Sequence, residues 1–340
     1  MGANVPRLPG RIQINREVFS MPLRLAVLST SRIVAEFLTH APAWPELALT
    51  ALCCRPESAE KGRALAEKAG IPRLYTSEEA LYAAGGFDAV YIGTANHLHA
   101  AAARRALAAG YHVILEKPFT PTAAEARALF ALADEKGVVL FEAITTPYLP
   151  TYRFLQAERP KIGAVRGALA NFSARSARYD DYLRGVWNTT FDPACFGGAL
   201  YDMNVYNLHF FCGLLGAPQR AEYRPTLGGN GIDTAGTVLL QYPGFCAAAL
   251  AAKDSGAPQF AMLQGVGGCL VLQGGANGVE QVYSVVNGVR TDGPKLARHR
   301  MAYEFAEFAR IVAEHDTAAE AAARRRTLAV MDLLEPLRPY

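Results

Sequence analysis

A chain of 340 residues, 51% of them apolar, can bury two cores at about 150 residues per domain. A net charge of +3 is too small to argue for nucleic acid or an anionic membrane surface, and no apolar run approaches a transmembrane span. The six cysteines lack CxxC spacing and the seven histidines lack metal-ligand spacing, which points to reduced core thiols in a cytoplasmic protein.

Residues 1–20 lack the long apolar stretch of a secretory signal and read as a disordered or extended arm. Leu23–Ser29 then reads as a strand, Ser31–His40 as a helix, Leu47–Cys54 as a second strand and Glu57–Ala69 as a helix closed by Gly70. Leu74-Tyr75, a helix opened by Ser77, the buried strand Asp88–Gly93, the alanine-rich helix His97–Ala109 and the strand Tyr111–Leu115 follow. Ala123–Lys136 is a helix ended by Gly137, and Val138–Phe141 is the last strand of this half. The alternation predicts βαβ units and a Rossmann-type parallel sheet over residues 21–145.

From about Lys161 the texture changes. Val165–Ser173, Thr234–Tyr242, Phe245–Ala252, Gln259–Gly265 and Cys269–Leu272 read as strands with glycine- and proline-rich joints, and Gly198–Leu215 as a helix. This predicts an α+β unit over residues 146–340, built on a large, mostly antiparallel open sheet. Met301–Glu314 and Ala318–Leu334 are terminal helices able to pack back on the first unit, with Arg324-Arg325-Arg326 as a solvated face.

The stretch Val113-Ile114-Leu115-Glu116-Lys117-Pro118 is an apolar strand that stops at a charged pair and a proline. Pro118 cannot extend the ladder, and Thr120–Glu125 can cap a new helix. A lysine at the carboxyl end of a buried parallel strand stands where open α/β sheets bind ligands. Taken alone it reads equally well as an exposed lysine.

Glu116-Lys117-Pro118, preceded by Thr94-Ala95-Asn96-His97-Leu98-His99, resembles the Gfo/Idh/MocA family of nicotinamide-dependent sugar and alcohol oxidoreductases. The block Gly197-Gly198-Ala199-Leu200-Tyr201-Asp202-Met203-Asn204-Val205-Tyr206 carries the resemblance further, and it spans about Leu23 to Arg338. It implies a C-terminal α/β domain with one sheet face used for dimerisation, in a homodimer or homotetramer. It also implies that Thr94, Asn96 and His97, with Glu116 and Lys117, line the nicotinamide and ribose side of a groove. Tyr206, where many members carry histidine, resembles the dihydrodiol dehydrogenase and glucose–fructose oxidoreductase branch.

A Rossmann fingerprint places glycines between the first strand and helix. Here the turn reads Leu28-Ser29-Thr30-Ser31-Arg32-Ile33-Val34, with serines in two of those places. A serine in left-handed geometry costs roughly 1–2 kcal/mol. Its hydroxyl can still donate to phosphate, and a helix N-terminus offers free N–H groups. Ser29, Ser31, Arg32 and Ile33 are therefore candidate phosphate ligands. The second strand ends Cys53-Cys54-Arg55-Pro56, with no acid for the ribose hydroxyls. An arginine there can pair with a 2′-phosphate, which favours NADP while leaving NAD possible. The less favoured alternative is that Arg55 only caps a solvent turn.

Hydride transfer from an alcohol carbon leaves a hydroxyl proton to remove, which calls for a base and a cation to lower its pKa. Asp202 and Tyr206 are four apart and share a helix face. Tyr206 is the candidate acid/base, Lys117 its cation and Asp202 the residue that orients substrate or lysine. Asn204, standing where a glycine is common in the family, either fills the pocket or contacts substrate. His209, Arg175 and Trp187 are further substrate-binding candidates. Lys253 ends a later strand and reads first as a surface lysine able to reach the cleft. The substrate would be a sugar, polyol, dihydrodiol or related secondary alcohol. Two rival readings stand: a glycosidase or lyase using bound cofactor transiently, and a silent sugar- or partner-binding protein without dinucleotide.

Overall fold

The computed structural model describes residues 21–340, and the expected arm of residues 1–20 lies outside them. The first half strings β1 (Leu23–Leu28), α1 (Arg32–His40), β2 (Leu47–Cys53), α2 (Ala59–Ala69), β3 (Leu74–Tyr75) and α3 (Glu78–Ala84). It continues with β4 (Ala89–Ile92), α4 (His99–Ala108), β5 (His112–Glu116), α5 (Ala123–Lys136) and β6 (Leu140–Ala143). All neighbouring strands pair in parallel, in the order β3-β2-β1-β4-β5-β6. Helices cover both faces, so β1 and β4 read as near-continuous apolar runs rather than alternating ones. The order reverses between β1 and β4, which opens a crevice at the carboxyl ends of the strands. The turn after β5 opens α5 with a full capping box between Thr122 and Glu125.

The second half begins with α6 (Pro150–Glu158), β7 (Val165–Ser173) and α7 (Tyr179–Leu183). A π-helical turn over Leu200–Asn204 leads into α8 (Val205–Leu215). Then follow β8 (Arg220–Leu227), β9 (Asp233–Tyr242), β10 (Phe245–Ala252), β11 (Phe260–Gly265), β12 (Gly268–Gln273), β13 (Gln281–Val286) and β14 (Val289–Asp292). The eight strands pair β14-β13-β12-β11-β7-β10-β9-β8, antiparallel except for the central β7–β10 pair. One face buries Ala168, Ala247, Ala249, Val238 and Leu263. The other leaves Leu169, Leu239, Leu250 and Phe260 exposed on four adjacent strands.

The last two helices, α9 (Arg300–Glu314) and α10 (Thr317–Leu337), return to the first half. Arg298 grips Glu46 through two bonds of 2.6 and 2.7 Å, Arg300 reaches Glu36 at 2.6 Å, and Glu335 accepts the Ala123 N–H at 2.8 Å. Of the arginine run on α10, Arg325 is exposed, as a solvated face requires, while its two neighbours also make contacts. Arg324 pairs with Asp134 of α5 at 2.5 Å, and Arg326 donates to the Tyr148 hydroxyl at 2.7 Å. The thiols depart from expectation: all six are free, but Cys246 is exposed and Cys212 and Cys269 are half-buried. Among the described residues no helix is long and apolar enough to cross a membrane.

The Gly197-Gly198 pair fixes the start of the π-helical turn. Gly198 has φ +85°, and a Cβ there would lie 1.8 Å from Asp233 Oδ1. A Cβ on Gly197 would lie 2.5 Å from the Thr190 carbonyl. These glycines let Asp233, from β9, accept the Leu200 N–H at 2.6 Å and so cap the turn from outside. Gly198→Ala should cost at least about 2 kcal/mol. A thermal melt checks this against Gly229→Ala, where a Cβ meets nothing within 4 Å.

Candidate active site

Four strand ends of the first sheet frame the crevice. After β1, Ser29 takes φ +114°, the left-handed geometry expected of a serine in this loop, whereas Ser31 is extended at φ −62°. The Ser29 hydroxyl accepts the Ser31 N–H at 3.0 Å, and Ser31 caps α1 by accepting the Val34 N–H at 3.4 Å. The first-turn N–H groups of Arg32 and Ile33 have no intrahelical acceptor, because a helix leaves its first donors open. Arg32 is exposed and Ile33 half-buried. Lys61 of α2 donates to the Thr30 carbonyl at 2.5 Å, adding a cation at this loop that sequence reasoning did not single out. Arg55 stands exposed just past β2.

After β4, Gly93 lets α1 lie close: a Cβ there would be 2.6 Å from Val34 Cγ2. Thr94 keeps a buried hydroxyl with no partner, and Asn96 donates to the Phe196 carbonyl at 2.7 Å, bridging the two halves. His97 is exposed. His99 is buried, with ring nitrogens 2.9 Å from the Pro118 carbonyl and 3.1 Å from that of Thr94. Burial lowers its pKa, against the pull of the carbonyls, and its two ring nitrogens bridge the Thr94 loop and the turn after β5. The Lys117–Pro118 peptide in that turn is cis.

Lys117 leaves the end of β5 and meets the π-helical turn of the other half. Its Nζ donates to Asp202 Oδ1 at 2.8 Å and to the Asp202 carbonyl at 3.1 Å, and stands 5.0 Å from the centre of the Tyr206 ring. Asp202 Oδ2 accepts from Lys253 Nζ at 2.6 Å. Lys253 is not on the surface, as its position at a strand end suggests, but only 2% exposed. It also donates to the Thr190 carbonyl at 3.2 Å. Its signal was weak because β10 around it is mostly alanine, and the register that aims it at Asp202 is set by pairing across β9 and β7.

Burial alone would discharge Lys117, but Asp202 and the Tyr206 hydroxyl more than offset this and hold the ammonium above its usual range. Burial alone would likewise raise Asp202, and the two ammonium groups drive it well below the usual carboxylate range. Tyr206 departs from expectation. Burial pushes its phenol up to about 12, although Lys117 and Arg300 pull the other way. The physical reason is that Lys117 is already engaged by Asp202, so its field on the phenol does not overcome desolvation.

Behind the cleft lies a set of buried carboxyls. Glu116 accepts from the Tyr91 hydroxyl at 2.6 Å, and burial pushes its pKa up to about 7. Glu304 is fully buried with one oxygen unpartnered, and burial raises it well above the usual range.

The remaining candidates scatter. Arg175 is exposed and paired with Asp180 at 2.7 Å, and the Trp187 indole donates to Asp192 at 2.6 Å. Asn204 is fully buried and turned into the sheet, donating to the Gly236 carbonyl at 3.3 Å. His209 is buried with Nε2 3.4 Å from Glu142. Neither hydrogen-bonds to Lys117, Asp202 or Tyr206.

An open helix N-terminus, an orphaned Thr94 hydroxyl and a crevice at the strand-order reversal suit a dinucleotide's phosphates and sugars. The architecture is that of a dinucleotide-dependent oxidoreductase. The family described as "Oxidoreductase family, NAD-binding Rossmann fold" matches residues 25–144. The NADP(+)-dependent scyllo-inositol 2-dehydrogenase IolU of Bacillus subtilis is 32% identical over 320 residues, covering 93% of this chain and 96% of that protein. The trans-1,2-dihydrobenzene-1,2-diol dehydrogenase of Macaca fascicularis is 30% identical over 226 residues, 66% of each chain. The fold matches the 3-ketoreductase KijD10 of Actinomadura kijaniata, solved with NADP and TDP-benzene, at a TM-score of 0.81 and 24% identity, over 93% of this chain and 97% of that one. The chain belongs to the Gfo/Idh/MocA oxidoreductase family and is an NAD(P)-dependent dehydrogenase or reductase.

The buried carboxyls set a pH dependence. Between its ordinary 4.5 and about 7, Glu116 holds a proton in the folded chain that the unfolded chain has released. Asp233, raised to about 6 chiefly by burial, acts in the same direction. The contribution is complete below about 4.5 for Glu116 and below about 3.8 for Asp233, and is lost as pH rises through about 7 and about 6 respectively. The depressed Asp202 contributes throughout this range and is lost only as pH falls below its ordinary value of 3.8. The melting temperature should therefore be several degrees higher at pH 5.5 than at pH 8. Glu116→Gln, which still accepts from Tyr91, should shrink that difference in calorimetry.

Proposed function

We propose that this protein moves hydride between NADP and a secondary alcohol or carbonyl of a sugar, polyol or dihydrodiol. Tyr206 is the proton donor and acceptor, Lys117 its electrostatic partner and Asp202 the residue that aims the lysine. The observation that carries this reading is Lys117 Nζ, held 2.8 Å from Asp202 and 5.0 Å over the Tyr206 ring. Ser29, Ser31, Arg32 and Ile33 would hold the phosphates, and Thr94, Asn96 and His97 would lie along the ribose and nicotinamide. Arg55, with no acid at the end of β2, supports NADP, as do relatives named for NADP(+). Bound there, the nicotinamide ring supplies hydride acceptance and donation.

The chain's own residues handle the proton. The phenol of Tyr206 stays protonated at neutral pH and is suited to donate to a carbonyl oxygen as that oxygen gains charge. The phenolate left behind faces Lys117, whose charge is secured by Asp202. Lys253 satisfies the second oxygen of Asp202, so the cluster keeps a net single positive charge beside the oxygen that turns negative. In the oxidative direction the same phenolate takes the hydroxyl proton.

Tyr206→Phe and Lys117→Met should each lower kcat about 10²–10⁴-fold, while titration shows NADPH affinity retained. No binding of NADPH or NADH at millimolar concentration would remove the redox reading.

A cytoplasmic homodimer is part of the same reading. The exposed apolar face carrying Leu169, Leu239, Leu250 and Phe260 is the surface a second copy would cover. Leu250→Glu should turn a dimer into a monomer in sedimentation velocity, with the melting profile of the monomer intact.

A further inference from the structure

Beyond the catalytic cleft, an open pocket of about 540 Å³, lined among others by Tyr182, Trp187, Asn188, Phe191, Asp192 and Asn230, is within the size range of small-molecule sites. Its walls combine flat apolar groups with hydrogen-bonding ones. The rings of Tyr182 and Phe191 stack at 5.0 Å. The Tyr182 hydroxyl donates to Asn230 at 3.0 Å, and Asn230 donates to the Phe191 carbonyl at 2.8 Å. Trp187 is 70% exposed, yet its ring is pinned by the 2.6 Å bond from Nε1 to Asp192. A large apolar ring held in water is unfavourable, and here a hydrogen bond fixes it with its face uncovered.

This pocket shares a wall with the catalytic cluster. Lys253 Nζ lies 5.1 Å over the Phe191 ring and donates to the Thr190 carbonyl, while its third contact is Asp202. Gly197 lets the Thr189–Thr190 backbone lie against the start of the π-helical turn, so the pocket wall packs directly on the element that carries Asp202.

Resting on the oxidoreductase reading above, we propose that this pocket is a second substrate subsite for a sugar ring glycosidically joined to the unit that is oxidised or reduced. The substrate class is then a disaccharide or larger glycoside, not a free monosaccharide. The C–H face of a pyranose packs on the indole and its hydroxyls meet Asn188, Asp192 and Asn230, a mixture that a purely apolar ligand would leave unused.

Fluorescence tests this without requiring turnover. The chain has two tryptophans, of which Trp44 is buried and Trp187 exposed. Maltose, cellobiose and lactose, titrated against glucose and xylose, should give a saturable change in emission with at least one disaccharide at concentrations where the monosaccharides give none. Trp187→Phe should abolish it. In steady-state assays Trp187→Ala should raise KM for that disaccharide by about tenfold or more, against little change in kcat. No emission change with any of the three disaccharides overturns the subsite. So does a Trp187→Ala variant that changes only the oligomeric state in light scattering, which would make Trp187 a contact between copies. An emission change with NADP bound but no turnover of any sugar keeps the subsite and sinks the proposed sugar oxidation or reduction instead.

Discussion

The site depends on one carboxylate divided between two lysines. Asp202 accepts Lys117 from the first sheet on one oxygen and Lys253 from the second sheet on the other. Two ammonium groups brought that close repel, and neither could stay buried without the anion between them. The aspartate makes the second lysine tolerable, and the second lysine leaves the first free of having to neutralise both oxygens. Because the two cations come from different sheets, the bridge also fixes how the halves face each other.

Much of the second half serves to present Asp202 correctly. The π-helical turn sets Asp202 and Tyr206 on the same side of Lys117, and Asp233 caps that turn in a space only Gly198 leaves open. On the first half, buried His99 joins the Thr94 loop to the Lys117 turn. Polar groups buried on this scale are stable only when nearly all are paired. Two of the exceptions, Thr94 and Glu304, lie beside the crevice and behind the cleft, where a bound molecule or a proton could satisfy them.

The parallel half was legible because each strand is a short apolar run bounded by caps and glycines, and local chemistry decides those boundaries. The eight-stranded sheet was legible only at its centre. Edge strands β8 and β14 carry Arg220, Glu222, Arg224 and Pro225, or are wholly exposed, and such residues protect an edge while erasing the strand pattern. Lys117, Asp202 and Tyr206 stood out through motif and spacing. Lys253 did not, because its burial comes from strand register rather than from anything in its neighbourhood of sequence. The low pKa expected for Tyr206 failed for a related reason: charge alone was weighed, and desolvation of the ring is a property of the packed fold.

The return of α9 and α10 to the first sheet has a mechanical corollary. The polypeptide leaves the nucleotide-binding half once, after β6, and comes back through two helices riveted by Arg298, Arg300 and Arg324. A hinge with a single connection can gape; a clasp fastened on both flanks resists it. Any movement that widened the crevice would have to break those ion pairs or carry both helices with it.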